Sequence, residues 1–321
     1  MDVNINKIKS LLGNKFRENE PLASHTTFRI GGPARYFVLT QSSDSLQEVL
    51  SWAQKNKITY IIMGGGSNVL VSDNGFDGLI IKIQGGHLSI KGDKIECEAG
   101  VMLAKALGES LAGGFSGLEW ASGIPGTIGG AIRGNAGAYG SDMSKNIVQV
   151  KVFRNGKVKT LSAKDCQFGY RESIFKQADN KDVILSAIIG LSKADAEEAR
   201  DKAKKIIKER APKFVGFSAG CVFKNIEVTA EDAKLFKEKY PDFPDQYVEY
   251  RKIPVAWLID RCGLKGKVIG GAKVSDNHAG IIINSGNATA ENVIMLISII
   301  KQQVRDTYGI QLSEEIEYVG F

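Results

Sequence analysis

Three features of the sequence predict an α+β fold. β-branched runs separated by glycine fill the stretch from about residue 26 to 192. Asn155-Gly156 joins two alternating runs as a two-residue hairpin turn, and a strongly periodic helix stands near the C-terminus. With 321 residues, 43% hydrophobic and 24% charged, the chain is large enough for two or three packed units. Glycine is in excess at 36 residues while proline stands at 7, so the glycines are not linker composition and their clusters need a reason.

In chain order, strands are expected at 35–40, 59–63, 79–83, 94–99, 148–154, 157–161 and 183–191, with one helix near 45–55 before the second of them. Both Asn155 and Gly156 tolerate the positive φ of a tight hairpin turn. At 192–213 alanine and mixed charge replace β-branched residues, which reads as a solvated helix linking two units. Helices at 229–239 and 255–262 and a strand at 279–284 follow. The helix at 290–307 is the best defined. Val293, Leu296, Ile297, Ile300 and Val304 share one face, Thr289 is placed to cap its start, and Gly309 is placed to stop it. Residues 315–319 alternate as a closing strand.

Several classes are excluded. Lys+Arg 42 against Asp+Glu 36 leaves a net +6, evenly spread, which makes no nucleic-acid surface but suits an anionic small molecule. The apolar stretch of the periodic helix, 293–300, broken by Ser298, is far short of the ~20 residues of a membrane span. The first sixteen residues hold no apolar core followed by a cleavage site, so a cytoplasmic address is expected. Cys97, Cys166, Cys221 and Cys262 form no CxxC pair and predict free thiols, and His25, His87 and His278 share no ligand spacing, so no metal is expected. A GxSxG elbow is absent as well. A monomer is the expectation for its assembly.

Two glycine clusters suggest a ligand cradle. In the first, the apolar run Ile61-Ile62-Met63 enters Gly64-Gly65-Gly66-Ser67-Asn68 and leaves through Val69-Leu70-Val71. Consecutive residues without Cβ let backbone N–H groups converge as an anion nest, for which a diphosphate is the natural guest. Neither a GxGxxG spacing nor a GK[ST] occurs, so the Rossmann and P-loop readings fail. The second cluster, from Gly123 to Gly140, holds seven glycines in eighteen residues. Each costs about 0.5–1 kcal/mol relative to alanine, so seven together imply close approach by a backbone or a flat ligand. Together the clusters suggest an extended nucleotide, with diphosphate at one and a ring system at the other.

At this point a resemblance enters. The segments TTFRIGGPA from Thr26, GGGSN from Gly64, GLEWASGIPGTIGGAIRGNAGAYG from Gly117, YRESIFK from Tyr170 and GCVFKN from Gly220 occur in that order. This pattern resembles the UDP-N-acetylenolpyruvoylglucosamine reductase (MurB) family over nearly the whole chain. The resemblance implies a two-lobed FAD-binding region of the vanillyl-alcohol oxidase/PCMH type plus a C-terminal α+β substrate-binding domain. The implied bounds are 1–84 for the first lobe, 85–205 for the second, joined by a C-terminal strand at 311–321, and 206–310 for the substrate domain. It implies an NADPH-dependent flavoenzyme of peptidoglycan precursor synthesis in a bacterial cytoplasm, with a UDP-sugar as substrate. Arg171 and Cys221 lie 50 residues apart, which resembles the shorter type II branch.

Residue by residue, the resemblance assigns Gly64, Gly65, Gly66, Ser67, Asn68 and Val69 to non-covalent FAD, together with Gly123, Ile124, Pro125, Gly126, Gly130, Asn135, Ala136 and Gly137. Arg171 matches the catalytic arginine, Cys221 stands in the position of the proton-donor serine, and Glu315 matches the catalytic glutamate. Tyr170, Lys224, Asn225 and His278 fall where the family contacts its UDP-sugar. Departures from the family pattern are Cys221 itself, Ile226 in place of the proline after FKN, and SEEIE near the C-terminus. In that segment Glu314 and Glu317 compete with Glu315, and strand alternation sets Glu314 on the opposite face. A thiol with an ordinary pKa near 8.5 is a competent proton donor and also predicts inactivation by alkylation or peroxide. Cys97, Cys166 and Cys262 read as packing residues. Two other functions share the features: a flavin-dependent oxidase of the same fold, and a catalytically silent UDP-sugar or flavin binder.

Overall fold

The computed structural model describes residues 8–9 and 12–321. The N-terminal stretch read for an export signal lies mostly outside the described residues. In the first unit, β1 (Phe16–Pro21), β2 (Pro33–Thr40), α1 (Ser43–Lys55), β3 (Tyr60–Met63), β4 (Val69–Val71) and β5 (Phe76–Ile83) follow one another. The four-stranded sheet runs β1-β2-β5-β3, with β2 and β3 both parallel to β5. A strand flanked by parallel neighbours is covered on both faces, and Leu79, Ile80 and Ile81 are accordingly fully buried. Ser42 opens α1 with a capping box, and Leu46, Val49, Leu50 and Ala53 form its inner face. β1 escapes the alternation pattern because its residues are mostly polar and exposed at the sheet edge.

The second unit contains β6 (Leu88–Lys91), β7 (Lys94–Glu98), α2 (Leu103–Ala112), α3 (Ile128–Arg133), β8 (Ile147–Arg154), β9 (Lys157–Ser162) and β10 (Val183–Gly190). Its antiparallel sheet runs β9-β8-β10-β7-β6, and Asn155 and Gly156 turn β8 into β9 with positive φ at both residues. Phe153, Val183 and Leu185 of this sheet pack into the α1 cluster of the first unit. Glu98 adds a polar clamp, accepting from the Ser43 N–H and the His87 N–H at 2.9 Å each. Helix α4 (Ala196–Arg210) is not a free linker: it buries Ala199, Ala203 and Ile206 and packs against α2 and the turn Glu119–Ala121.

The third unit holds α5 (Ala230–Lys239), α6 (Val255–Arg261), β11 (Ala272–Val274), β12 (Ile282–Asn284) and α7 (Ala290–Tyr308), and the chain closes with β13 (Glu317–Val319). Thr289 caps α7 and Gly309, at φ +72°, ends it, while Val293, Leu296, Ile297, Ile300 and Val304 are all buried. Phe28, Ile30 and Leu70 from the first unit complete this core. Asp73 binds the units further by accepting from the N–H groups of Ala290 and Glu291, the exposed donors at the start of α7.

The closing strand corrects an expectation. β13 pairs in parallel with β4, so it joins the first unit and not the second. Register explains this, since the Glu317 N–H donates to Asn68 O at 2.9 Å and extends the strand leaving the first glycine cluster. Among the described residues, no helix is long and apolar enough to cross a membrane, and no group of three potential metal ligands occurs.

Candidate active site

The two glycine clusters pack against each other. A Cβ on Gly65 would stand 2.9 Å from Gly126 Cα, and one on Gly64 would collide with the Thr127 hydroxyl. Gly66 has φ +65°, and a Cβ there would strike the His25 carbonyl. Ser67 Oγ donates to Pro125 O at 3.3 Å and ties the loops together. The first three glycines are therefore required by contact between loops. The consequence for a ligand lies in the donors: among the described residues, none of the five successive N–H groups of Gly64, Gly65, Gly66, Ser67 and Asn68 donates to a backbone carbonyl. The Ser122 hydroxyl, buried beside Gly123, also lacks a partner. Such a run of unspent donors at a glycine seam fits a dinucleotide diphosphate.

The second cluster is only partly open backbone. Its middle forms α3, capped by Thr127, whose hydroxyl accepts from Gly130 N–H at 3.3 Å. Ile128 and Ile132 are fully buried and hold a helix that its two adjacent glycines disfavour. Beyond it Asn135, with φ +41°, donates through Nδ2 to Gly169 O at 2.9 Å and accepts at Oδ1 from Ser144 N–H at 3.0 Å. Asn135 thus connects the glycine arc to the YRES turn. Gly137 meets that turn from the other side through its carbonyl.

Gly169 and Glu172 exchange backbone hydrogen bonds at 3.0 and 3.2 Å, which makes Tyr170-Arg171 the centre of a tight turn and sets Arg171 at φ +56°. A non-glycine residue in the left-handed region is uncommon and marks functional constraint. The turn aims Arg171 inward: Nη2 donates to Gly137 O at 2.5 Å and Nε to Glu315 Oε1 at 3.0 Å. Burial raises the Glu315 carboxyl above the ordinary carboxylate range, although Arg171 pulls the other way. Asn68 Nδ2 donates to Glu315 O at 3.1 Å, so the first glycine cluster positions this residue too. Its neighbours are employed elsewhere. Glu314 pairs with Lys301 at 2.9 Å, and Glu317 pairs with Arg133 and with Lys176.

The segment carrying Cys221 runs between two others. Val222 N–H donates to Gly280 O at 2.9 Å, and Glu315 N–H donates to Val222 O at 2.7 Å, which puts Cys221 next to the Arg171–Glu315 pair. Burial and the Glu315 carboxylate push the Cys221 thiol up to about 12. A thiol pushed up in this way holds its proton at neutral pH, which argues for slower alkylation and oxidation than an ordinary thiol would show, because the thiolate is the reactive form. Cys97 and Cys166 are buried, as packing residues should be.

Tyr170 is partly buried, which raises its hydroxyl pKa, and Lys252 stands over its ring at 4.3 Å. Lys224 forms an ion pair with Glu172, which lowers the Glu172 pKa. Asn225 Oδ1 accepts from Val255 N–H at 3.1 Å at the start of α6, and among the described residues its amide N–H groups have no side-chain or backbone acceptor. His278 is more removed: its ring stacks at 6.3 Å on Phe214, burial lowers its pKa, and its Nδ1 is buried without a partner. One residue was missed in sequence reading. Arg210, at the end of α4, reaches Gly123, where a Cβ would stand 3.5 Å from its Nε, and lies over the Phe214 ring at 4.7 Å.

Comparison with known proteins agrees with this geometry. Residues 34–162 match the FAD binding domain family, and residues 212–319 match the UDP-N-acetylenolpyruvoylglucosamine reductase C-terminal domain. The UDP-N-acetylenolpyruvoylglucosamine reductase of Caldanaerobacter subterraneus subsp. tengcongensis is 36% identical over 326 residues, 99% of each chain. That of Bacillus subtilis is 33% identical over 325 residues, covering 100% of this chain and 99% of its own. The crystal structure of the Thermus caldophilus enzyme superposes with a TM-score of 0.74 at 27% identity, covering 95% of this chain and 98% of the other. Fold and site define a flavin-dependent oxidoreductase with an FAD-binding region and a separate C-terminal domain. The chain belongs to the UDP-N-acetylenolpyruvoylglucosamine reductase family, whose members use FAD and NADPH in peptidoglycan precursor synthesis.

Proposed function

We propose that Arg171, Glu315 and Cys221 carry the sugar half-reaction, in which the enolpyruvyl group of the UDP-sugar becomes the lactyl ether of UDP-N-acetylmuramate. The observation that carries this reading is the convergence of the three side chains from segments 50 and 94 positions apart beside the joined glycine loops. FAD, once reduced by NADPH, supplies the hydride for the terminal carbon of the double bond. Negative charge then develops on the enolate conjugated with the substrate carboxylate. The Arg171 guanidinium, fixed by Gly137 O and Glu315, meets that charge, and one such donor is typically worth ~10²–10³ in rate. Glu315 holds the planar fork in orientation and, with its raised pKa, shares a proton with the enolate at little cost. Cys221 Sγ–H delivers its proton to the neighbouring carbon.

Gly64 to Val69 and the arc from Gly123 to Gly137 hold the non-covalent FAD, with the unspent N–H groups of Gly64 to Asn68 on the diphosphate. Tyr170, Lys224 and the free amide of Asn225 take the UDP-sugar, and His278 borders that side. A monomeric, cytoplasmic enzyme is the form this reading takes, and the proposed site calls on no residue of a second copy. The test is NADPH oxidation dependent on the enolpyruvyl UDP-sugar, with product analysis for two added hydrogens. NADPH consumption that needs O₂ and ignores the sugar would favour the oxidase reading.

A further inference from the structure

The Arg171–Glu315 ion pair is closed by a second path. Asn68, which donates to Glu315 O, accepts at its own carbonyl from the Glu317 N–H at 2.9 Å. The Glu317 carboxylate stands 3.6 Å from Lys176 Nζ, and that ammonium donates to the Arg171 carbonyl at 3.2 Å. Arg171, Glu315, Asn68, Glu317 and Lys176 therefore form a ring of contacts, in which Lys176 holds the backbone of the turn whose side chain Glu315 holds. Neighbouring residues fix Lys176 in place. Buried Phe175 anchors the short turn Ile174–Lys176, the Ile174 N–H donates to Cys166 O at 2.9 Å, and the buried Ser173 hydroxyl donates to Arg133 O at 2.6 Å. The Lys176 side chain is left only 14% exposed, and Arg133 shares Glu317 with it.

The turn needs such a brace. Arg171 sits at φ +56°, a conformation that costs a non-glycine residue of order 1–3 kcal/mol and persists only where its surroundings over-determine it. Gly169 and Glu172 fix the ends of the turn, but among the described residues the Arg171 carbonyl accepts no backbone N–H and is taken by Lys176. A bond from an ammonium is stronger than a neutral one. The charged groups about that ammonium are Glu317, Glu315 and Glu172, with Arg133 beyond Glu317. Glu172 is already paired with Lys224 and Glu315 with Arg171, which leaves Lys176 to Glu317. We propose that Lys176, anchored by Glu317, is a positioning residue for Arg171, a role that rests on the sugar half-reaction assigned above. It makes no bond in the reaction and keeps the guanidinium fork on Gly137 O and Glu315 while the enolate forms. A misplacement of about 1 Å in such a group is enough to cost ~10²-fold in rate. The ammonium has an electrostatic effect as well. Burial raises the Glu315 pKa, and Arg171, Lys176 and Lys224 draw it back down, with Cys221 and Tyr170 the other titratable groups facing that carboxyl.

The experiment is anaerobic stopped-flow of both half-reactions on the holoenzyme, in wild type, Lys176→Met, Lys176→Arg, Glu317→Gln and the double variant Lys176→Met/Glu317→Gln. Lys176→Met should slow flavin reoxidation by saturating enolpyruvyl UDP-sugar ~10²-fold, with bleaching by NADPH and KM for the sugar moved little. Lys176→Arg should recover much of that loss because a charged donor is kept. Glu317→Gln should slow the same step, and the double variant should be no slower than Lys176→Met, since the two residues act as one brace. The limb of the reoxidation rate set by Glu315 ionisation should move to higher pH in Lys176→Met and hold in Lys176→Arg. Unchanged reoxidation in Lys176→Met overturns the proposal, as do losses that multiply in the double variant. A raised KM at unchanged rate overturns it by giving the lysine to the sugar. Equal loss in both half-reactions, or a pH limb that does not move, marks a structural role and overturns it too. If Lys176→Met does not fold, Glu317→Gln decides: slowed reoxidation with normal bleaching supports the brace, and a normal rate overturns it. A wild type that NADPH bleaches and the sugar fails to recolour would refute the sugar half-reaction itself, whereas normal recolouring in both wild type and Lys176→Met refutes this inference alone.

Discussion

Arg171 Nε donates to Glu315 Oε1 at 3.0 Å across 144 positions of sequence. The arginine sits in a two-residue turn at positive φ, and the glutamate is held by Asn68 from the first glycine cluster. Cofactor loop, turn and C-terminal segment are therefore locked through one ion pair. A fixed fork facing a raised carboxyl is suited to an enolate that gains charge and loses it again within one turnover.

Arg171→Lys should lose most of the sugar-dependent step although charge is retained. A lysine ammonium cannot donate to Gly137 O and Glu315 in the geometry of the planar fork. Bleaching by NADPH should change far less. Stopped-flow traces of the two half-reactions check this, and equal loss in both would indicate a binding or folding role.

The raised Glu315 pKa carries a sign. A carboxyl with a higher pKa folded than unfolded binds its proton more tightly in the native state, so the native state loses stability as pH rises through the window above the ordinary ~4.3. Glu315→Gln lacks that ionisation. Its holoenzyme should therefore gain Tm relative to wild type as pH rises from 4 to 7, while sugar turnover falls ~10²-fold or more. A Tm difference independent of pH would show that the carboxyl is unperturbed.

For Cys221, alanine should slow sugar turnover ~10²–10⁴-fold with FAD content and NADPH bleaching nearly intact, and Cys221→Ser should restore much of the loss. Because the thiol is pushed up to about 12, iodoacetamide at pH 7 should label it slowly, with the rate rising steeply toward alkaline pH. Near-normal turnover in Cys221→Ala would return the residue to packing.

Gly65→Val should separate the glycine loops, since its Cβ already stands 2.9 Å from Gly126 Cα. FAD affinity should weaken by about tenfold or more, roughly 1.4 kcal/mol, in a protein that keeps its circular dichroism. Equilibrium dialysis with FAD reads this directly, and unchanged affinity would detach the cofactor from this seam.

Much of this site was legible in sequence because its signals are residue types. Glycine clusters announce close approach, and α7 with its Thr289 cap and Gly309 stop follows from periodicity alone. α2 was legible too, since Leu103, Ala106, Leu107 and Ser110 recur at helical spacing, although it was not expected. α3 was hidden by Gly129-Gly130, where burial of Ile128 and Ile132 overrides helix propensity. Arg210 was illegible for another reason: α4 is polar and reads as solvated, and only long-range packing of Ala199, Ala203 and Ile206 brings its end to Gly123. The pairing of β13 with β4 is likewise a long-range event that no local pattern encodes.

The most direct measurement is anaerobic colour. The purified holoenzyme should be yellow, bleach on one equivalent of NADPH, and recolour on adding the enolpyruvyl UDP-sugar with no oxygen present. In Cys221→Ala and Arg171→Lys bleaching should persist while recolouring slows. Recolouring only when oxygen is admitted, in wild type as in the variants, would contradict the sugar half-reaction assigned to Arg171, Glu315 and Cys221.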